Sequence, residues 1–336
     1  MTALLDVRQF SVDIRRGENT ACVVNDLSYQ VTKGETLGIV GESGSGKSIH
    51  ALAMLGLVSG PAVRVANGEV LFEGENILAL DEAKLRDIRG GAIGFVFQDP
   101  MTSLNPVLTV GRQIAEPLLR HKKLSKRQAR ARAADLLAEV GIRDPQRRLD
   151  QYPHEFSGGM RQRVIIAMAI ACEPKLLIAD EPTTALDVTV QGQILDLLGE
   201  LRQRLGMTMI WITHDMGVVA GLADTVQVMY GGRIMERGPV RSIFHDTRSA
   251  YTWSLLQSLP QAKRPPGARL QQIRGQPPNP FDPVPGDPFA PRNPFATNRC
   301  FVDVPLLAPA KNAAPGHVVA AWYDLPARLA ERGTVT

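Results

Sequence analysis

The stretch Gly41-Glu42-Ser43-Gly44-Ser45-Gly46-Lys47-Ser48 fits the spacing G-x-x-x-x-G-K-[ST] at every fixed position. Glycines placed in this way let the main chain turn tightly, so that successive N–H groups converge on phosphate oxygens at a helix N-terminus. Lys47 can then neutralise β- and γ-phosphates, and Ser48 offers a hydroxyl to Mg²⁺. A glycine-rich turn with a solvated lysine is the simpler alternative. It does not explain why an apolar run, Thr36 to Val40, precedes the segment and a helical pattern, Ile49 to Leu57, follows it. A second chemical stretch, Leu176-Leu177-Ile178-Ala179-Asp180-Glu181, closes an apolar run with two carboxylates. That position suits Asp180 to hold Mg²⁺ through water and Glu181 to polarise an attacking water. Paired acids can also merely cap the next helix, but the phosphate loop in the same chain favours the metal and water roles. A third stretch, Phe156-Ser157-Gly158-Gly159-Met160-Arg161-Gln162-Arg163, opens a helical pattern. Ser157 is its expected N-cap, and two glycines leave room for a phosphate at the helix end.

These side chains need a scaffold that brings strand ends together. Thr36 to Val40, Ala92 to Phe97, Lys175 to Ala179 and Met207 to Thr213 read as short buried strands. Helical patterns lie between several of them, which predicts an α/β fold around a mostly parallel sheet. Val190, Ile194, Leu197, Leu198, Leu201 and Leu205 recur at helical spacing and stop at Gly206. Ser125 and Gln128 have capping-box spacing at the start of a helix that runs to Gly141. Thr225 to Tyr230 and Arg233 to Glu236 flank Gly231-Gly232, a hairpin signal.

Composition divides the chain. Of its 336 residues, 44% are hydrophobic, and 38 Lys plus Arg face 34 Asp plus Glu. Pro260 to Thr336 holds nine basic and five acidic residues, so the body before it carries 29 of each sign. Fourteen of the 24 prolines fall between Pro260 and Pro315. This predicts a body, residues 1–259, and a proline-rich, mostly irregular C-terminal extension, residues 260–336. No apolar run reaches the roughly 18 residues of a membrane-spanning helix, and Asp6 and Arg8 interrupt the N-terminus, so no export signal is expected. Cys22, Cys172 and Cys300 are too widely spaced to suggest a disulfide framework and fit a reducing cytosol. Cys22 and Cys172 are expected to be small buried hydrophobes. The basic cluster Lys122, Lys123, Lys126, Arg127, Arg130 and Arg132 reads as a solvated helix face. Contact with lipid headgroups or a membrane subunit is the alternative.

With the Ser157 segment the body resembles the ATP-binding subunits of ABC transporters. Phe97-Gln98-Asp99-Pro100, Ala185-Leu186-Asp187 and Ile212-Thr213-His214-Asp215 carry the resemblance further. It implies a P-loop NTPase core with an antiparallel β subdomain and a small α-helical subdomain at about residues 100–160. Gln98 would join Mg²⁺ and the attacking water to the region touched by the membrane subunit. His214 would contact the γ-phosphate, Asp187 would be the D-loop acid, and Ser157 to Met160 would contact the γ-phosphate held by a second ATP-binding subunit, a related chain or a second copy. Met160 stands where the commonest form of this segment has glutamine. Ile14 falls where an aromatic residue usually stacks on adenine, so modest base selectivity between ATP and GTP is expected.

Met101-Thr102-Ser103-Leu104-Asn105-Pro106 and the run from Asp180 to Asp187 resemble the dipeptide and oligopeptide importer branch. So does Gly286 to Cys300, which is similar to that branch's C-terminal extension. Relatives often carry four cysteines there for an iron–sulfur cluster. Asp287, Asn293 and, by alignment past Gly316-His317, Ala321 replace three of them. Cys300 alone cannot supply Cys₄ coordination, so no cluster is expected, and His317 is expected to be structural. The resemblance implies a peptide-importing ATPase at the cytoplasmic face of a bacterial inner membrane. Its partners would be two permease subunits, a second ATP-binding subunit and a solute-binding protein. Nickel, glutathione or another small solute as cargo, and a soluble ABC-type ATPase acting on nucleic acid, are the alternatives. The neutral body gives no basis for binding a nucleic acid.

Overall fold

A computed structural model describes residues 3–58, 60–184, 186–259 and 272–332. The expected boundary at residues 259 and 260 adjoins a segment outside the described residues. In chain order the strands and helices are β1 (Ala3–Arg16), β2 (Asn19–Thr32), β3 (Thr36–Val40), α1 (Lys47–Met54), β4 (Val63–Phe72), β5 (Glu75–Asn76), α2 (Glu82–Ile88) and β6 (Ile93–Val96). Then come α3 (Pro100–Ser103), α4 (Val110–His121), α5 (Lys126–Glu139), α6 (Pro145–Arg148), α7 (Gly158–Ile170), β7 (Leu176–Asp180), α8 (Val188–Leu205) and β8 (Thr208–Thr213). The chain continues with α9 (Met216–Leu222), β9 (Thr225–Tyr230), β10 (Arg233–Pro239), α10 (Val240–His245), α11 (Ala250–Gln257), β11 (Leu307–Pro309), β12 (Val318–Ala320) and α12 (Leu325–Glu331). Among the described residues no helix is long and apolar enough to cross a membrane.

The chain forms two compact units, one built mainly from Ala79–Ile212 and the other from Ala3–Val31, Thr36–Leu78 and the residues from Thr213 onward. In the first, β6, β7 and β8 are parallel, with Ile93 beside Leu176 and Leu177 beside Met209. Every residue of β7 and β8 is buried, which is why both read as unbroken apolar runs rather than alternating ones. α7 buries Val164, Ile165, Ile166, Ala167 and Ile170, so it is apolar around most of its circumference. α5 opens with the predicted capping box at Ser125 and Gln128, and it buries Ala129, Ala133, Ala134, Leu136 and Leu137 on one face. The basic cluster lies on the remaining surface: Lys122, Lys123, Lys126, Arg127 and Arg130 are exposed. Arg130 meets Asp150 at 2.7 Å, and Arg132 pairs with Glu139. Buried Gln113 of α4 fixes the segment after α3, accepting from the Asn105 N–H at 2.8 Å and donating to the Asn105 and Leu108 carbonyls at 3.0 Å.

In the second unit, β3 pairs in parallel with β9, and β9 turns through Gly231 and Gly232 into antiparallel β10. Both turn glycines have positive φ, 55° and 76°, as the hairpin signal requires. β1 pairs with β4 in a separate antiparallel sheet of order β2-β1-β4-β5. Cys22 departs from expectation, being exposed, whereas Cys172 and Cys300 are buried. It sits beside buried Ala21 on β2, and alternation along a strand sends adjacent side chains to opposite faces.

The described part of the extension packs within this second unit. β12 adds to β10 with Glu236 opposite Val319, and β11 adds to β12. His317 is fully buried and its Nε2 meets the Glu236 carboxylate at 2.8 Å. Glu236 also accepts N–H bonds from Arg248 and Ser249. His317 is thus a structural anchor, as the sequence suggested.

Candidate functional site

The phosphate loop joins β3 to α1 in the second unit. Gly46 is the N-cap of α1 with φ 95°, and a Cβ there would lie 2.6 Å from the Val23 carbonyl oxygen. At Gly41 a Cβ would lie 2.1 Å from the Met229 carbonyl oxygen. At Gly41 and Gly46 a side chain is therefore sterically excluded, and the main chain alone lines the loop there. Ser45 is buried and its carbonyl accepts from the Gly232 N–H at 3.2 Å, tying the loop to the β9–β10 turn. Lys47 is buried, and its Nζ donates to the carbonyls of Gly41 at 2.9 Å and Glu42 at 3.0 Å, with Ser45 Oγ at 3.4 Å. Ser48 lies in the first turn of α1. Behind the loop, His50 is fully buried with Nε2 2.6 Å from Tyr29 Oη. Burial pulls its pKa down to about 4, so the imidazole is neutral near pH 7 and seats α1 without adding charge. Ser43 and Gly44 are exposed at the loop's tip.

The acid-bearing strand belongs to the first unit. Asp180 ends β7 beside Ile212, and it is buried. Glu181 follows in the left-handed region, φ 44°, with its N–H on the Ile212 carbonyl at 2.9 Å. This conformation is uncommon for a residue with a side chain. The carboxylate is held from two directions: Gln98 Nε2 donates to Glu181 Oε2 at 3.1 Å, and Thr184 Oγ1 donates to the same oxygen at 2.9 Å. Gln98 and Glu181, 83 residues apart, are thus brought into direct contact because β6 and β7 are adjacent parallel strands.

Ser157 caps α7 as expected, its hydroxyl accepting from the Met160 N–H at 3.4 Å. Gly159 is required by packing, since a Cβ there would lie 2.7 Å from Val190 Cγ1 of α8, while Gly158 has only Leu186 Cδ2 near, at 3.9 Å. Asp187 caps α8, accepting from the Val190 N–H at 2.9 Å. Asp187 is therefore fixed by its own helix. His214 is exposed immediately after β8, with Asp215 capping α9 behind it. Ile14 lies on β1 opposite Val63, half-buried.

Two contributors escaped the sequence reading. Thr184 stands three residues past Glu181, a spacing that offered a local signal. Arg292 pairs with Glu42 across 250 residues and offered none. The expected cluster positions serve other ends. The Asp287 N–H donates to the Cys300 carbonyl at 2.8 Å, and its Oδ1 accepts from the Phe289 N–H at 2.9 Å. Asn293 Nδ2 donates to Tyr323 Oη at 2.8 Å. A carboxylate, an amide and one thiol do not make a four-thiolate donor set.

Residues 24–184 match the family described as ABC transporter, and residues 235–300 match the family described as oligopeptide/dipeptide transporter, C-terminal region. The chain is 48% identical over 326 residues to the oligopeptide transport ATP-binding protein OppD of Bacillus subtilis (strain 168), covering 97% of this chain and 90% of that one. It is 47% identical over 324 residues to the dipeptide transport ATP-binding protein DppD of the same organism, covering 96% of each. Among solved structures, the ATP-binding cassette MJ0796 in a dimeric post-hydrolysis state bound to ADP and Pi matches at a TM-score of 0.64. That match has 29% identity and covers 70% of this chain and 99% of the other. A phosphate loop built of main chain, a Glu181 carboxylate held by Gln98 and Thr184, and relatives this similar along nearly the whole length place the chain in the ABC transporter family of ATP-hydrolysing subunits, in the branch that carries the oligopeptide/dipeptide C-terminal region.

Proposed function

We propose that this chain supplies the ATP hydrolysis that drives import of di- and oligopeptides, working at the cytoplasmic face of a bacterial inner membrane with two permease subunits and a solute-binding protein. One observation carries the reading: a glutamate directly after a buried strand end, held by Gln98 and Thr184, occurs in a chain whose residues 235–300 match the peptide-transporter region. Lys47 and the loop main chain are suited to bind the triphosphate. Ser48, Gln98 and Asp180 offer oxygen ligands, the donor type a Mg²⁺ ion takes. When bound, the ion would offset charge on the phosphate oxygens. Glu181 accepts the proton of the attacking water, and the two donors on its Oε2 orient the carboxylate for that transfer.

Ser157 to Met160 and Asp187 are assigned to the surface that meets a second ATP-binding subunit, a related chain or another copy, and His214 to the γ-phosphate. The body is assigned to residues 1–259, with its helical part at about 100–160, and the extension to 260–336. The donor set of Asp287, Asn293 and Cys300 supports an extension without an iron–sulfur cluster. Ile14, an aliphatic residue at the assigned base position, supports comparable affinities for ATP and GTP.

The test is reconstitution with the permease pair and binding protein in vesicles, reading ATP turnover against added peptide, nickel or glutathione. Peptide-stimulated turnover is expected, and stimulation by nickel or glutathione alone would overturn the cargo assignment. In the same assembly Glu181→Gln is expected to bind ATP but to turn over about 10²- to 10⁴-fold more slowly, the usual range for a lost general base. Wild-type turnover in that variant would remove Glu181 from the reaction.

A further inference from the structure

Glu42 is the one acidic residue of the phosphate loop. A carboxylate there opposes binding of a polyanion unless its charge is answered. The answer comes from the extension. Arg292 grips the Glu42 carboxylate with both ends of its guanidinium, Nη1 to Oε2 at 2.5 Å and Nη2 to Oε1 at 3.0 Å. This is the fork geometry that arginine makes with carboxylates and lysine does not.

The fork is itself held rigidly. Arg292 Nη1 also donates to Tyr230 Oη at 3.0 Å, its Nε to the Arg274 carbonyl at 2.9 Å, and its Nη2 to the Ile273 carbonyl at 3.3 Å. The guanidinium lies 5.6 Å from the centre of the Tyr230 ring, and the Arg292 side chain is only 6% exposed. Tyr230 and Tyr251 pack with Phe289 of the extension at ring separations of 4.5 to 5.4 Å. Tyr251 Oη accepts the Glu42 main-chain N–H at 2.9 Å. Both the main chain and the side chain of Glu42 are therefore fixed by one aromatic cluster that the extension completes. A second brace runs through the β9–β10 turn. A Cβ on Gly231 would lie 2.9 Å from Pro288 of the extension, and the neighbouring Gly232 donates to the Ser45 carbonyl of the loop.

We propose that Arg292 is a positioning residue of the nucleotide site, through which the C-terminal extension fixes and neutralises Glu42 and so sets the affinity of the phosphate loop for nucleoside triphosphate. The inference rests on the assignment of this loop as the ATP site and adds a dependence of that site on the extension.

The experiment is titration of the full chain with a fluorescent ATP derivative, at low and high salt, with melting curves for each variant. Arg292→Gln is expected to weaken binding about tenfold, the scale of an unanswered like charge near a protein surface. The deficit should shrink as salt screens it. Adding Glu42→Gln to Arg292→Gln should recover most of the loss, because the charge that needed an answer is gone. Wild-type affinity in Arg292→Gln, or a double variant no better than the single one, would overturn the proposal; the second result would leave Arg292 as ordinary packing. If the glutamine variant does not fold, Arg292→Lys replaces it. It is expected to bind about threefold more weakly because the fork is lost, and wild-type affinity there would overturn the proposal. A wild-type chain that bound no nucleotide would instead defeat the ATP-site reading, and the inference with it.

Discussion

Glu181, the proposed general base, shows how much of a residue's behaviour lies outside its own identity. Its place after an apolar strand announces it, but its carboxylate direction depends on a left-handed backbone and on donors from Gln98 and Thr184. Removing the Thr184 hydroxyl while keeping its shape should loosen that direction. Thr184→Val is expected to lower ATP turnover in the reconstituted transporter by about tenfold, the cost of roughly one charge-assisted hydrogen bond. Thr184→Ser should retain more activity than valine; equal loss in both would mean that the methyl group, rather than the hydroxyl, matters. The residue chemistry of the phosphate loop and of the Glu181 segment was legible because each is local, with fixed spacing along one turn. Arg292 was illegible because its partner is 250 residues away and nothing in its sequence neighbourhood marks it as different from the chain's other arginines.

Elements were predicted from the same local signals, and they differ from the structure mostly at their ends. The strand read as Ala92 to Phe97 spans Ile93–Val96, and the helix read from Ile49 begins at Lys47, because terminal residues are decided by caps and neighbours rather than by periodicity. Gly206 ends α8 with φ 61°, as its position after the last apolar residue implied. The Ser157 segment shows what periodicity cannot supply. Its two glycines looked equivalent, each leaving space for a phosphate, yet only Gly159 is pressed against α8. Gly159→Ala should therefore push α7 from Val190, whereas Gly158→Ala adds a methyl group whose neighbour, Leu186 Cδ2, is 3.9 Å away. In thermal melts the first is expected to lose about 1–3 kcal/mol, the usual cost of overpacking, and the second less than 1 kcal/mol. The reverse order would refute the packing assignment.

At the scale of the whole molecule, the proline-rich composition suggested an irregular extension, and its described part gains order from partners in the body. β12 extends the sheet at β10, buried His317 meets buried Glu236, and Arg292 meets Glu42. Asp287 carries a cost in this arrangement. Burial pushes its pKa up to about 6, against an ordinary 3.8, and the Phe289 N–H opposes the shift only in part. A raised folded-state pKa means that the stabilisation from proton uptake is fully present below about pH 4 and is lost as pH rises through 6. Asp287→Asn keeps the acceptor for the Phe289 N–H and removes the charge. It is expected to stabilise the full chain at pH 7.5, by roughly 3 kcal/mol at most, read as a higher melting temperature, and to match wild type below pH 4. An unchanged melting profile between pH 4 and 8 would show that Asp287 is not buried in the charged form. By itself the sequence determined the phosphate loop, the strand-end acids, the capped helices and the family, because each depends on residue types at fixed short spacing. Only the tertiary structure decided which donors aim Glu181, which glycine is sterically required, and that an arginine of the extension answers the charge of Glu42. Those outcomes depend on distances between segments that the chain's order leaves open until strands pair and side chains pack.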